Sequence, residues 1–338
     1  MIVGVDFGAP RWAREQRRKI IAIGARATAW RRYRVDATGL NERLLVNESP
    51  GWSAAELVDE LLARPARVVG LDAPFGVPHA LLHDPAFAGG AGRTHGPFHG
   101  WRDFNHWIAQ RLPLTDPLDF SAFAAWRDPA ARGRLWARRA TDVAAGAQPP
   151  LKDRFQATFQ MMLLANAVLA RLWASGRYRV LPFGGRGAGE IVEVYPRATL
   201  RAMGLTRYKA QPDEAVRLAI AACAAAGIRL DVDARLVALA CRYSSGTAAA
   251  PDHDVADAFV ALCTAILHAE NACRPAVAPD AMRSARYLME HEGAIWIPTI
   301  TTSATVRGPA TVRGDERDVP HDATRRMRGA RRARANER

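Results

Sequence analysis

The chain has 338 residues, 49% of them hydrophobic, and a formal net charge of +13 from 47 Lys and Arg against 34 Asp and Glu. This length suits one large domain with an insertion, or two small domains, and it supports a substantial core. We expect neither a membrane span nor a signal peptide, because no run of about 18 apolar residues and no basic-then-apolar leader occurs. The charge favours a nucleic acid or other polyanion as partner, although Arg spread along the chain also fits a solvated basic surface.

The first half of the chain predicts four strands and one helix. Short apolar runs predict strands at residues 2–7, 19–27, about 30–36 and 67–76. Before the last of these, Ser53 is placed to cap a helix that continues to about Arg64, where Pro65 stops it.

The second half adds mainly helices. Residues 155–175 are apolar nearly all round, which predicts a buried helix, and residues 191–196 predict a strand ended by Pro196. Further helices are predicted at about 212–226 and 231–242, an acid-led helix at 251–272, and a short final strand or extended segment at 292–298. This succession predicts an α/β fold with helices flanking a sheet.

Two segments depart from this pattern. Residues 79–150 are rich in His, Trp, Arg, Pro and Gly with weak periodicity, which predicts an insertion with scattered short helices. Residues 300–338 hold few large apolar residues and end in Arg clusters, so we expect a disordered tail, either solvated or binding phosphates. The predicted organisation is one domain, 1–299, followed by this tail.

The four cysteines indicate a reducing compartment. Cys223, Cys241, Cys263 and Cys273 form no CxxC pair and lie in Ala- and Leu-rich surroundings. This spacing is typical of buried, reduced thiols rather than of disulfides or zinc ligands. We therefore expect a cytoplasmic protein, and nothing in the sequence indicates a particular protein partner.

Acidic residues occur within or at the ends of three predicted strands and at the start of one predicted helix. Asp6, Asp72 and Glu193 each end or interrupt an apolar run, and Asp254 and Asp257 share one face of the acid-led helix. Crowded carboxylates repel one another unless hard cations such as Mg²⁺ or Mn²⁺ neutralise them. Two such ions about 3.5–4 Å apart activate water against a phosphodiester. We predict a two-metal site held by Asp6, Asp72, Glu193 and Asp257, with Asp254 as a fifth ligand or general base.

Each acid also has a structural explanation. Asp6 and Asp72 precede Gly or Ala-Pro and suit Asx turns, and Asp252 or Asp254 suits a helix cap.

Glu193 lies inside its strand, where neither a turn nor a cap explains it. Its structural alternative is a buried ion pair with an arginine such as Arg197 or Arg186. The occurrence of all the acids in this order favours the metal site.

Six motifs in this order make the chain resemble a known family: VGVDFGAP, VVGLDAPFGVP, the TD of RRATDVAAGAQPPL, EVYPRATL, HDVADAFVAL and EGAIWIP. It resembles the domain of unknown function 429 family over roughly residues 2–298, without parts of 79–135. Members of that family are regarded as predicted nucleases with a ribonuclease H-like fold.

The resemblance implies a ribonuclease H-like mixed sheet with the insertion after its fourth strand. It places Asp6 on the first strand, Asp72 on the fourth and Glu193 on the fifth. Asp254 and Asp257 then begin the last helix, which looks like the closing helix of Holliday-junction resolvases of the same fold.

Basic residues near the predicted site are candidates for substrate binding. Arg138, Arg139 and Asp142 belong to an RxxD-type segment that, by the resemblance, faces the site, and Arg there suits a scissile phosphate. Lys152 is a further candidate, as is Arg197, just after the last acid-bearing strand. The alternative is a helix end with solvated arginines.

The insertion offers two other kinds of site. Trp101, Phe104 and Trp107 either stack on bases or pack a lid onto the domain. Its histidines invite a zinc interpretation, but no Cys accompanies them and nearby Gly and Pro argue against a helix, so we do not predict zinc. They are His79, His83, His95, His99 and His106.

Three functions follow, in order of preference. The first is a metal-dependent nuclease or phosphodiesterase acting on DNA or RNA. The second is a non-catalytic nucleic-acid-binding or adaptor protein on the same fold. The third is a phosphate-transfer enzyme of the actin and sugar-kinase superfamily, which the sequence supports least because it lacks a second Gly-rich phosphate loop.

Overall fold

The apolar runs predicted as strands assemble into one mixed sheet. The computed structural model describes residues 1–7, 20–46, 51–90, 96–115, 118–127, 136–152, 158–206, 211–241, 254–277 and 282–299. All of these belong to one unit, Met1–Thr302. The predicted tail at 300–338 lies outside the described residues.

The strands in the described part of the chain are β1 (Ile2–Phe7), β2 (Ile20–Ala29), β3 (Arg32–Val35), β4 (Val68–Asp72), β5 (Tyr178–Val180), β6 (Gly189–Val194), β7 (Arg229–Val232), β8 (Cys273–Pro275) and β9 (Ile295–Pro298). Their order is β7-β3-β2-β1-β4-β6-β9-β8, and β5 pairs with the first half of β6. β2 is antiparallel to β1 and β3, whereas β4 is parallel to β1 and β6 to β4. At the edges, β7 is parallel to β3, β9 is parallel to β6, and β8 is antiparallel to β9.

The helices in the described ranges are α1 (Leu40–Val46), α2 (Ala54–Ala63), α3 (His79–Leu82), α4 (Pro85–Gly90), α5 (Trp101–Arg111), α6 (Ala140–Ala145), α7 (Thr158–Ala174), α8 (Pro196–Ala202), α9 (Pro212–Ala225), α10 (Ala234–Cys241), α11 (Asp254–Ala269) and α12 (Met282–Glu292), with a 3-10 helix at Ser121–Arg127. The predicted cap of α2 is confirmed, since Ser53 Oγ accepts from the Glu56 amide and Glu56 Oε2 from the Ser53 amide. An α/β fold with a mixed sheet flanked by helices is likewise confirmed. No helix in the described part of the chain is long and apolar enough to cross a membrane.

The two faces of the sheet are covered by different helices. Val3 and Val5 of β1 pack in the core beneath α2 and α7. Ile2 and, on β6, Val192 and Val194 pack in the core that contains α11 and α9. Alternate residues of one strand thus belong to different cores, as the two-residue period of a strand requires.

The insertion forms a third core with the first half of α7. It contains aromatic side chains that contact one another, among them Phe87 stacked on Trp126 with ring centroids 4.6 Å apart. Trp101, Phe104 and Trp107, predicted either to stack on bases or to pack a lid, are all buried. Their packing role is therefore the correct alternative.

Three short strands could not be predicted from the sequence pattern. β5, β7 and β8 have three or four residues each, too few to show a period. Pro196 ends β6 as predicted, and it also begins α8, where its missing amide costs no hydrogen bond.

Candidate functional site

Asp6 and Asp72 lie side by side at the carboxyl ends of two parallel strands. Their Cα atoms are register partners between β1 and β4. Neighbouring strands lie about 4.8 Å apart, and residues in register leave the sheet on the same face. Both carboxyl groups therefore emerge on one face of the sheet, at the carboxyl ends of these two central strands.

Two glycines bring α11 onto this face. Gly4 and Gly70 precede the aspartates by two residues and so face the same way. A Cβ on Gly4 would lie 2.1 Å from the backbone nitrogen of Leu262, and one on Gly70 would lie 2.9 Å from a backbone oxygen of α11. The absence of side chains at both positions lets the helix backbone rest directly on the strands. Its first turn, with Asp254 and Asp257, thereby reaches the ends of β1 and β4.

The four carboxyl groups interact electrostatically. Burial raises the pKa of Asp6 well above its ordinary value, and the charges of Asp254, Asp72 and Asp257 raise it further. A hydrogen bond also joins Asp6 to Asp254, and such a bond between two carboxyl groups requires a proton on one of them. At neutral pH the cluster therefore favours binding a proton or a cation.

The donor chemistry of this cluster fits Mg²⁺ or Mn²⁺. Carboxylate oxygens are the ligands that hard cations prefer. Within the described residues, Asp6 Oδ2 is buried and has no hydrogen-bond partner, so it holds a lone pair that a cation would satisfy. Over the same residues, no group of three or more His, Cys, Asp or Glu side chains is already gathered as a metal site. The match between this cluster and Mg²⁺ or Mn²⁺ therefore rests on the carboxylate chemistry and the negative charge of the four aspartates.

Tyr195 and Arg197 stand next to the cluster. Burial raises the pKa of Tyr195 and the charge of Asp72 raises it further, while Arg197, which hydrogen-bonds Tyr195, opposes both. Asp257 also raises this pKa. Arg197 was a predicted substrate-binding residue, and its contact with Tyr195 is what links it to the cluster. Tyr195 was missed, although it directly follows the last acid-bearing strand.

Glu193 faces away from the cluster. It is the register partner of Leu71, the residue before Asp72, so its side chain leaves the opposite face of the sheet. Arg139 Nη1 donates to Glu193 Oε2 at 2.7 Å and Nη2 to Oε1 at 2.5 Å, and the Phe75 amide donates to Oε2 at 3.0 Å. The prediction of Glu193 as a metal ligand is corrected on these grounds. The alternative of a buried ion pair holds, with Arg139 in place of Arg197 or Arg186.

Arg139 and Asp142 are also occupied away from the cluster. Arg139 Nε donates to Asp142 Oδ2 at 3.0 Å and Nη2 to Oδ1 at 2.6 Å, and both residues are buried. Burial lowers the pKa of Arg139, but Asp142 and Glu193 raise it more, so the guanidinium stays charged. Their predicted role in substrate binding is corrected to a structural one, because their charges satisfy each other.

Glu292 and Thr141 extend this network and were not predicted. Glu292 Oε1 accepts from the His79 amide at 2.7 Å and Oε2 from the Ala140 amide at 2.8 Å, and Thr141 Oγ1 accepts from the Ile295 amide at 2.8 Å. These bonds tie the insertion to α12 and β9. Thr141 belongs to the TD motif and Glu292 begins the EGAIWIP motif, so both lie in motifs that the sequence shows.

The chain also matches the sequence profile of a protein family. The sequence profile of the family described as "protein of unknown function (DUF429)" matches residues 4–281. The chain belongs to the DUF429 family. The matched DUF429 region begins within β1 and runs past α11, so it includes all four clustered aspartates. No curated protein and no solved structure matches the chain.

The remaining basic candidates of this DUF429 chain lie in the insertion or just after it. Arg138 is exposed, next to the buried Arg139. Lys152 Nζ donates to Gln148 Oε1 at 2.8 Å and lies 5.8 Å from the ring centroid of Trp136. Neither contact involves the carboxyl cluster.

The insertion histidines are divided among several surroundings. His79 Nε2 and His83 Nε2 are 3.0 Å apart, and the rings of His79 and His291 are 5.0 Å apart between centroids. His106 contacts Gln110, and the His99 amide donates to Asp103. His95 lies outside the described residues.

Proposed function

We propose that this DUF429 protein is a metal-dependent nuclease or phosphodiesterase that hydrolyses DNA or RNA. The observation that carries the proposal is the meeting of Asp6 with Asp72, Asp254 and Asp257, which together raise the pKa of the buried Asp6 carboxyl group. A divalent cation would relieve the repulsion among these crowded carboxylates.

The topology supports a ribonuclease H-like fold for this enzyme. Three consecutive antiparallel strands, β1 to β3, are extended beside β1 by the parallel strands β4 and β6. The acids stand at the ends of β1 and β4, and α11 covers the same face. This arrangement supports the ribonuclease H-like topology that the resemblance implies, apart from the position of Glu193.

In the proposed reaction, Asp6, Asp72 and Asp257 would hold Mg²⁺ or Mn²⁺. A bound ion of this kind lowers the pKa of water and stabilises the leaving oxygen of a phosphodiester. Asp254 is half-buried beside Asp6, and once the metal neutralises the cluster its carboxylate would take the proton of the attacking water.

The charge distribution suits a polyanionic substrate. The chain carries a formal net charge of +13, which attracts nucleic acid, while the cluster itself is negative. Arg197, half-buried beside Tyr195 and the cluster, is placed to donate to a phosphate there. The negative pocket therefore selects the cation, and the surrounding positive charge brings the substrate.

The test is cleavage of end-labelled single- and double-stranded DNA and RNA with Mg²⁺ or Mn²⁺. Wild-type protein is expected to cleave at least one substrate, and Asp6→Asn is expected to lose this activity while retaining its circular dichroism and cooperative unfolding. Asp213→Asn, an exposed acid on α9, is the matched control and should cleave as the wild type does.

Equal cleavage by Asp6→Asn and wild type contradicts the proposal. If the protein binds nucleic acid in a salt-sensitive way but cleaves none of the substrates with either metal, the non-catalytic binding function replaces the proposed nuclease.

A further inference from the structure

A cavity of about 430 Å³ opens at the other end of α11 from the aspartate cluster. Val68 and Glu190, at the starts of β4 and β6, line it together with His268 near the end of α11. Val68 precedes Asp72 by four residues, which in a strand is roughly 13 Å. The cavity is therefore separate from the proposed metal site, and its volume lies in the range of small-molecule sites, about 300–1,000 Å³.

Two arginines, one glutamate and one histidine are the ionisable side chains that give the cavity walls their donors and charge. Arg67 and Arg179 line it, with side chains 61% and 46% exposed, so their guanidinium groups are accessible to a ligand. Glu190 is the acid among the lining residues, and Arg179 and His268 both bond to it, His268 Nε2 at 3.0 Å. The negative charge of Glu190 is thus offset within the wall.

Arg67 also counters the negative end of the helix. The carboxyl end of a helix carries partial negative charge, which by itself disfavours an anion. Arg67 Nη2 donates at 2.7 Å to the carbonyl oxygen of Ala269, the last residue of α11. Its Nη1 is 3.6 Å from Glu270 Oε1. A guanidinium group carries five N–H donors, so these contacts leave others for a ligand.

One buried donor in the wall is unsatisfied. Among the described residues, Trp296 Nε1 has no hydrogen-bond partner, although the atom is buried and its residue lines the cavity. The ring of His268 lies against that of Trp296, with centroids 4.5 Å apart. Buried N–H groups nearly always have an acceptor, and this atom is closed off from solvent, so it meets a ligand only when the indole ring turns toward the cavity.

We propose that this cavity binds a small organic phosphate of about mononucleotide size. Its phosphoryl oxygens accept from the guanidinium groups of Arg67 and Arg179, and one ligand oxygen accepts from Trp296 Nε1 once the indole ring turns toward the cavity. Two guanidinium groups match the several oxygens of a phosphate better than the two of a single carboxylate. The cavity is separate from the aspartate cluster, so this proposal does not rest on the proposed nuclease activity.

The protonation of His268 gives the site a second signature. Burial lowers the pKa of His268, Glu190 opposes this, and Arg179 and Arg67 lower it further. A bound phosphate adds negative charge next to the ring and therefore raises this pKa.

The test is calorimetric titration of the full chain in EDTA, with adenosine 5′-monophosphate, ribose 5-phosphate, inorganic phosphate and adenosine as probes. EDTA removes any contribution from the metal cluster. We expect the phosphate esters to bind and adenosine not to bind. Trp296→Phe, which keeps the ring and removes the N–H, and Arg179→Gln are each expected to weaken binding by about tenfold or more.

Three comparisons keep the outcome decisive. Trp30→Phe and Arg217→Gln change an exposed Trp and an exposed Arg elsewhere and should bind as wild type does. Asp6→Asn should also bind normally, which separates this site from the proposed catalytic one. Failure of every phosphate ester to bind, equal binding of adenosine, or unchanged binding in both Trp296→Phe and Arg179→Gln overturns the proposal. If Trp296→Phe fails to fold, Arg179→Gln decides.

Discussion

Asp6 of β1 and Asp72 of β4 are register partners on adjacent parallel strands and project from the face that α11 covers. This pairing places two carboxyl groups at the point where both strands end, under the first turn of a helix that contributes Asp254 and Asp257. Burying acids together is unfavourable unless a proton or cation accompanies them. The consequences for stability can be measured without knowing the substrate.

The protein without metal should lose stability as the pH rises through the titration of Asp6. The pKa of Asp6 is raised in the folded state by burial and by its acidic neighbours, whereas an unfolded Asp titrates near about 3.9. Its stabilising contribution is therefore complete below that pH and is lost as the pH rises through the folded value. Urea unfolding in EDTA from pH 4 to pH 8 measures this slope.

Asp6→Asn should flatten this pH dependence and raise the free energy of unfolding at pH 8 in EDTA. The amide removes one charge from the cluster at nearly constant volume. Mn²⁺ should raise the melting temperature of the wild type more than that of Asp6→Asn. A wild-type pH slope unchanged by the substitution would show that Asp6 titrates normally.

Arg139→Met should destabilise the protein by about 3–5 kcal/mol at pH 8, because it leaves Glu193 and Asp142 buried without their partner. In the variant both acids titrate at a raised pKa, so stability should recover as the pH falls. Urea unfolding at pH 5 and pH 8 checks both effects. Arg217→Met, which breaks exposed pairs on α9, should change stability by less than about 1 kcal/mol. Similar small losses in both variants would contradict a buried ion-pair network.

Gly4→Ala should cost about 3 kcal/mol or more and should disturb the cluster. A Cβ there would lie 2.1 Å from the Leu262 nitrogen, so α11 must shift and carry Asp257 with it. Gly89→Ala is the matched control, since nothing lies within 4 Å of its added Cβ. Thermal unfolding of both variants is the measurement, and equal melting temperatures would mean that α11 does not rest on Gly4.

Arg197→Ala should weaken nucleic-acid binding and lower the slope of log K against log salt by about 0.9. The reason is its place beside Tyr195 and the cluster, where a bound phosphate would accept from it. Fluorescence anisotropy of a labelled oligonucleotide from 50 to 300 mM salt gives the slope. Arg139→Met, where it remains folded, should leave the slope unchanged, since Arg139 is buried in its own ion pairs. A slope altered by Arg139→Met but not by Arg197→Ala would reverse these assignments.

The central strands and the Asp6–Asp72 pair could be predicted because the sequence marks the strand ends directly. Each run is apolar, lies in an α/β context, and carries an acid at or next to its end, before Phe-Gly in one run and Ala-Pro in the other. Parallel strands bring such ends together whatever the details of packing. The helix that begins with Asp254 could also be predicted, because its apolar face continues for four turns.

The role of Glu193 could not be predicted, because it depends on register. A strand alternates its faces at every residue, so pairing Glu193 with Leu71 instead of Asp72 moves its carboxylate to the other side of the sheet. Its partner Arg139 is 54 residues away along the chain, in an insertion without periodicity. Among many arginines, only packing distinguishes the buried one from those in solvent.

The most direct test of the metal site is equilibrium binding of Mn²⁺, followed by the electron paramagnetic resonance signal of the free ion. Wild-type protein and Asp213→Asn should bind Mn²⁺ alike at neutral pH, whereas Asp6→Asn and Asp72→Asn, both folded by circular dichroism, should each bind at least about tenfold more weakly. Equal Mn²⁺ affinity in all four proteins, or no binding by the wild type, would contradict a metal site formed by Asp6, Asp72, Asp254 and Asp257.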